Sequence, residues 1–139
     1  MQAGQRRSYR APRSEVRSVR LLVTGGRHYT DYWTVDEVLT GLQTSRPVTC
    51  LIVGGALGVD RFARSWAQRN GIAVETYNAD WTKYGPRAGP IRNALMISAR
   101  PDSVVAFPGG RCTADCVRQA KAAGIPVIEI VDPNPVGTP

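Results

Sequence analysis

Three times this chain runs from a short apolar segment directly into a glycine pair. Residues 19–23 lead into Thr24-Gly25-Gly26, residues 50–53 into Gly54-Gly55, and residues 103–107 into Pro108-Gly109-Gly110. Apolar runs of this length, bounded by glycine, read as buried strands. Helical periodicity follows. Val35, Val38, Leu39 and Leu42 fall on one face of a helix, and Val59, Phe62, Ala63 and Trp66 repeat that spacing.

The remaining segments continue the alternation. Thr34 and Glu37 have the spacing of a capping box for the first helix. Asn70-Gly71 supplies a stop for the second. Residues 72–77 read as a weaker strand and residues 78–88 as a loop. Ile91, Leu95 and Ser98 mark the inward stripe of a third helix, with Pro90 in its first turn. Thr113 is placed to cap a fourth helix that runs through Ala123 and stops at Gly124, and residues 126–131 form a fifth strand.

Strands alternating with helices of about ten residues predict an α/β domain: a parallel sheet of about five strands with helices on both faces. Strand order is not readable from the sequence. In such sheets ligands bind beyond the carboxyl ends of the strands. The three glycine turns therefore belong on one edge. Glycine lets backbone approach a ligand closely, and a helix starting there presents unpaired N–H groups to an anion. The turns at residues 24–27, 54–58 and 108–113 are expected to hold phosphate or ribose. The residues concerned are Thr24, Gly25, Gly26 and Arg27, then Gly54, Gly55, Ala56 and Gly58, then Pro108, Gly109, Gly110, Arg111 and Thr113. Two standard alternatives fail on spacing. GGRHYT and GGALGV do not make G-x-G-x-x-G, and no Gly-Lys-Ser/Thr exists for a Walker A loop.

Four motifs in order, T-G-G-R at residue 24, G-G-A-L-G-V-D at residue 54, A-G-P-I-R-N at residue 88 and P-G-G-R-C-T at residue 108, resemble the YspA/cpYpsA-related branch of the SLOG superfamily. The similarity spans about residues 20–130. It implies a Rossmann-like domain that binds a nucleotide or nucleotide-derived ligand, with sensing or sequestration as its role. The second motif is similar to the S-G-x-A-x-G-I-D loop of the DNA-processing protein of DNA uptake. The fourth is similar to the P-G-G-x-G-T-x-x-E loop of the LOG phosphoribohydrolases, which cleave an N-glycosidic bond. Arg92 and Met96 match the R-K-x-x-M pattern of those enzymes, with Asn93 in place of the lysine. Cys112 replaces the glycine of the loop's G-T pair, and Cys116 stands where the catalytic glutamate would be. A neutral thiol cannot stabilise positive charge developing on ribose. Ligand binding is therefore the first reading, and a divergent nucleoside-phosphate glycosidase is the second.

Arg27, Arg92 and Arg111 are the expected charge partners of phosphate, with Asn93 beside them. Asp60 reads either as a ribose hydroxyl or base contact or as an acid stabilising a helix N-terminus. Trp81 and Tyr84 either stack on a base or pack their loop on the sheet, and packing is preferred. His28, the one histidine, reads as an exposed turn residue, since a metal site recruits several ligands. Cys112 and Cys116 read as packing residues. Nothing in the pattern calls for a cofactor or a metal.

The net charge of +7 invites a third reading, nucleic-acid binding, but it is unevenly spread. Residues 1–20 carry six arginines and one acid, leaving a net of only +2 for the rest. Residues 1–18 are read as a flexible basic arm, residues 19–131 as the domain, and residues 132–139, with three prolines, as a short tail. Weak nucleic-acid contact would run through residues 1–20. No run approaches the roughly 18–20 apolar residues that span a bilayer. An odd count of three cysteines argues against a disulfide framework and for a reduced, cytoplasmic compartment. Pairing into a homo-oligomer is compatible with the sequence, which fixes no symmetry.

Overall fold

Strand alternation decides which side chain meets which helix. In the computed structural model, which describes residues 18–131, β1 (Val19–Thr24), β2 (Val48–Gly54), β3 (Ala73–Tyr77), β4 (Ser103–Ala106) and β5 (Val127–Glu129) form one all-parallel sheet. Its order is β3-β2-β1-β4-β5. This is a Rossmann-like arrangement. The chain winds outward from β1 to β3, crosses back, and winds outward again from β4. The switch point lies between β1 and β4.

The helices are α1 (Tyr32–Ser45), α2 (Val59–Arg69), the one-turn α3 (Trp81–Tyr84), α4 (Ala88–Ser98) and α5 (Arg111–Ala122). Odd-numbered positions of β1 and β2 face α1 and α2. There Leu21, Val23, Leu51, Val53, Val105 and Phe107 pack with Val35, Leu39, Ala63 and Trp66. The opposite positions face α4 and α5, where Leu22, Ile52 and Val104 meet Met96, Cys116 and Ala120. Trp66 is almost wholly buried, and its indole N–H donates to Thr40 Oγ1 at 3.1 Å. That bond satisfies the indole's one polar atom, which burial would otherwise orphan.

Several local expectations are corrected. The cap of α1 is Asp31, three residues before Thr34. Its carboxylate accepts from Thr34 N at 3.1 Å and Thr34 Oγ1 at 2.6 Å, so Thr34 bonds the cap and is not itself the cap. A capping aspartate has two acceptor oxygens for this role, and Thr34 offers one donor hydroxyl. Residues 78–88 are not a plain loop. Asp80 caps α3, a 3-10 turn spans Gly85–Arg87, and α4 starts directly after it. The inward face of α4 is Ala88, Gly89, Arg92, Asn93 and Met96, not the Ile91–Leu95–Ser98 stripe; Leu95 is more than half exposed. Thr113 lies inside α5, whose cap is Gly110.

The six-arginine count for residues 1–20 also needs dividing. Arg20 is part of β1. Its guanidinium makes a bidentate pair with Glu75 on β3 at 3.1 and 3.2 Å and donates to Ala99 O at 2.8 Å. Arg20 therefore holds sheet to α4 and is not a free basic group. The rest of the arm and the tail, residues 1–17 and 132–139, lie outside the described residues. Among the described residues, no helix is long and apolar enough to cross a membrane.

Candidate ligand-binding site

Two of the glycine turns touch each other backbone to backbone. Gly26 N–H donates to Pro108 O at 2.9 Å, and a Cβ on Gly109 would come within 2.7 Å of Gly26 N. The turn after β2 closes on the first from the other side. Val59 N–H donates to Gly26 O at 3.2 Å, and a side chain on Gly25 would run into Val59. Gly58 has φ +69°, a conformation side chains resist. The glycines are thus first a packing requirement: they bring three turns from neighbouring strands into contact.

Above this junction is a pocket of about 560 Å³. It sits at the β1/β4 switch point, and its size is ordinary for a small-molecule site. Thr24, Gly25, Gly26 and Arg27 form one wall, and Pro108, Gly109, Gly110, Arg111 and Thr113 form another. Ala56, Asp60, Arg92 and Asn93 complete it. Gly54, Gly55 and Gly58 do not line it; they stand behind its wall. Gly54 leaves room for the Arg92 guanidinium and for Asp60 Oδ2, which would lie 2.9 Å from a Cβ there. Gly55 makes room for Asn78.

The three strand-to-helix junctions are not equivalent. At α2, Val59 N–H is already taken by Gly26 O, and the first turn carries Asp60. A carboxylate there repels a second anion. At α4 the preceding 3-10 turn runs straight into the helix. At α5 the amides of Arg111, Cys112 and Thr113 have no protein acceptor among the described residues. No side chain caps the helix, and no acid sits in its first turn. A twelve-residue helix thus points its positive end into the pocket.

Arg92 faces the same space from α4. It is only 8% exposed. Its Nε donates to Asn93 Oδ1 at 2.9 Å, while its terminal Nη atoms have no hydrogen-bond partner among the described residues. Asn93 is fixed in turn: its Nδ2 donates to Cys112 O at 2.9 Å and to Asp115 Oδ2 at 3.0 Å. The side chain of Asn93 therefore locks α4 to the start of α5 and aims Arg92. Arg27 and Arg111 line the rim, are exposed, and form no ion pair among the described residues.

Asp60 is the one carboxylate lining the pocket, and it is buried. Its Oδ2 accepts from Ala56 N at 3.2 Å. Burial pushes its pKa up to about 6, against the opposing pull of the Ala56 N–H and the Arg92 and Arg64 charges. Cys116 is fully buried, and burial pushes its thiol to about 11. It packs with Leu22, Ile52 and Met96, in keeping with its reading as a packing residue. Asp115, one residue before it, is turned to Asn93, Gln119 and Arg118.

Five lining residues are absent from the expected set: His28, Tyr29, Trp81, Met96 and Cys112. His28 and Tyr29 continue the first turn, Cys112 lies inside the last, and Met96 is one helical turn beyond Arg92, so adjacency alone could have found them. Trp81 reads in the sequence as a base-stacking or a packing residue, with packing preferred; a four-residue helix brings it to the pocket.

The fold and this site define a Rossmann-like protein with a pocket built from glycine turns at the carboxyl edge of its sheet. Residues 19–84 match the YspA, cpYpsA-related SLOG family. The gene 61 protein of Mycobacterium phage D29 is 40% identical over 121 residues, covering 81% of this chain and 97% of that protein. The chain belongs to the YspA, cpYpsA-related SLOG family. In fold it is similar to DNA processing protein A from Streptococcus pneumoniae, with a TM-score of 0.68 at 17% identity over 88% of this chain. This chain spans about half of that structure, 53% of its length.

Proposed function

We propose that this protein binds a phosphate-bearing, nucleotide-derived small molecule in the pocket at the β1/β4 switch point, in a sensing or sequestering role. One observation carries the reading: a buried arginine with unpartnered Nη atoms and an uncapped, acid-free helix N-terminus face the same cavity. Asp60 lies nearby without forming an ion pair with Arg92, so the buried Nη donors gain hydrogen bonds only from a ligand. A phosphate placed between Arg92 and the start of α5 receives backbone N–H bonds from the helix and charge-assisted bonds from the arginine. Arg27 and Arg111 at the rim add positive field. Family membership supports a nucleotide-related ligand.

Calorimetry or thermal shift with AMP, ADP-ribose and cyclic nucleotides tests this. A ligand at 100 times its Kd adds about 2.7 kcal/mol of stability. Arg92→Ala abolishes that gain. Absence of ligand-dependent stabilisation across the series would refute the reading.

One observation favours the second reading, a nucleoside-phosphate glycosidase: the pocket holds a single buried carboxyl group, Asp60, although the glutamate of the related enzymes is replaced by Cys116. Release of free base from a nucleoside monophosphate, lost in Asp60→Asn, distinguishes turnover from binding.

A further inference from the structure

Trp81 is 52% exposed and belongs to neither core cluster. It lines the pocket. It begins α3, whose cap Asp80 accepts from Lys83 N at 3.0 Å, and Gly85, at φ +58°, ends that turn. Its ring edge rests on Gly89 of α4: a Cβ at that position would be 3.4 Å from Trp81 Cη2. The Cys112 Sγ lies 2.6 Å from that same Cβ position. Trp81 is therefore one residue's width from the first turn of α5.

We infer that Trp81 is a stacking platform, and that the ligand is a phosphate ester carrying a planar heteroaromatic ring, held ring on Trp81 and phosphate at the start of α5. The inference rests on the anion site proposed above and narrows its ligand. An exposed indole held by a capped turn at a pocket rim loses little entropy on binding and offers a π-face to any base. The wall formed by Gly26, Arg27 and Gly109 continues into His28 and Tyr29, whose phenol ring packs against Phe107 at 5.9 Å between centroids, and Trp81 offers the largest exposed aromatic face on the pocket. The floor is polar, with Asp60 and Arg92, and suits the sugar rather than the ring. Stacking on one face alone is tolerant of base identity, with larger rings favoured.

The test uses the full chain with Trp33→Phe, which removes the other exposed indole and leaves buried Trp66 as an unquenched reference. Inorganic phosphate, ribose 5-phosphate and the four nucleoside monophosphates are titrated by calorimetry and by tryptophan fluorescence. The nucleoside monophosphates should bind more tightly than ribose 5-phosphate and quench the Trp81 emission. Trp81→Ala should weaken them roughly 5- to 100-fold and leave ribose 5-phosphate unchanged, while Trp81→Phe retains most of the affinity. Ribose 5-phosphate binding as tightly as the nucleotides, with Trp81→Ala without effect, overturns the stacking inference and leaves the anion site standing. Failure of every compound to bind overturns both.

Discussion

Asp60 sits in a place that water would not choose for a carboxylate. Its pKa of about 6 in the fold stands above the ordinary 3.8, so the folded state holds its proton more tightly than the unfolded state does. Below pH 4 the group is protonated in both states and costs nothing. As pH rises through 4 to 6 the unfolded state ionises first, and stability falls by up to about 3 kcal/mol before levelling off. Asp60→Asn mimics the protonated form and can keep the Ala56 N–H bond. Its melting temperature should match the parent protein near pH 4 and exceed it increasingly up to pH 7. Asp31 and Glu75, whose pKa values are lowered by Thr34 and by Arg20, act in the opposite sense. They do so in both proteins, so the difference between the two melts isolates Asp60. A difference that does not change with pH would refute the assignment. A stability gain accompanied by loss of ligand binding is what a residue kept for the site, and not for the fold, produces.

At the scale of elements, the strands were legible as short apolar runs ending in glycine and the helices by their apolar period of about 3.6. The same rule explains the main failure. The inward face of α4 carries Arg92 and Asn93 between small Ala88 and Gly89, while apolar Leu95 faces out. A hydropathy stripe finds a core and points away from a buried polar site; local rules fail where function overrides them. Polar Arg92 and Asn93 were still found, but through the motif resemblance and not through periodicity. The glycine turns were legible as a common edge, yet which turn keeps free amides was not, because that depends on contacts between turns. Two substitutions test the division of labour. Gly110 has open space around its Cβ position and a φ of −100°. Gly110→Asp should fold with a melting temperature near the parent's and lose phosphate binding, because a carboxylate then occupies the start of α5. Gly54→Ala should instead lower stability and affinity together. Its Cβ displaces the Arg92 guanidinium, costing about 1–3 kcal/mol of stability by overpacking, and affinity falls with it. Denaturant melts and calorimetry on both variants check the contrast.

For the whole molecule, charge is the property most easily misread. The net of +7 is not a property of the pocket. Arg20 is spent on Glu75, and Arg69 on Asp36 at 3.1 and 3.0 Å. Of the groups that face the cavity, only Arg92, Arg27 and Arg111 remain to meet an anion, and Asp60 opposes them. Residues 1–17 carry five arginines and one glutamate. Two kinds of phosphate binding can therefore be separated in one protein. If the arm contacts a polynucleotide it releases counterions, and the affinity of that contact should fall with salt by a log–log slope of about −0.9 per phosphate neutralised on a duplex. Deleting residues 1–17 should flatten that slope and leave the affinity for a nucleoside monophosphate unchanged. Arg92→Ala should do the opposite, abolishing nucleotide binding and leaving the polynucleotide slope as it was. If the truncation weakens nucleotide binding, the arm completes the pocket. If Arg92→Ala weakens polynucleotide binding, the pocket is also a groove for the chain ends of nucleic acid. Measured together across a salt series, the two variants decide which charges belong to the site.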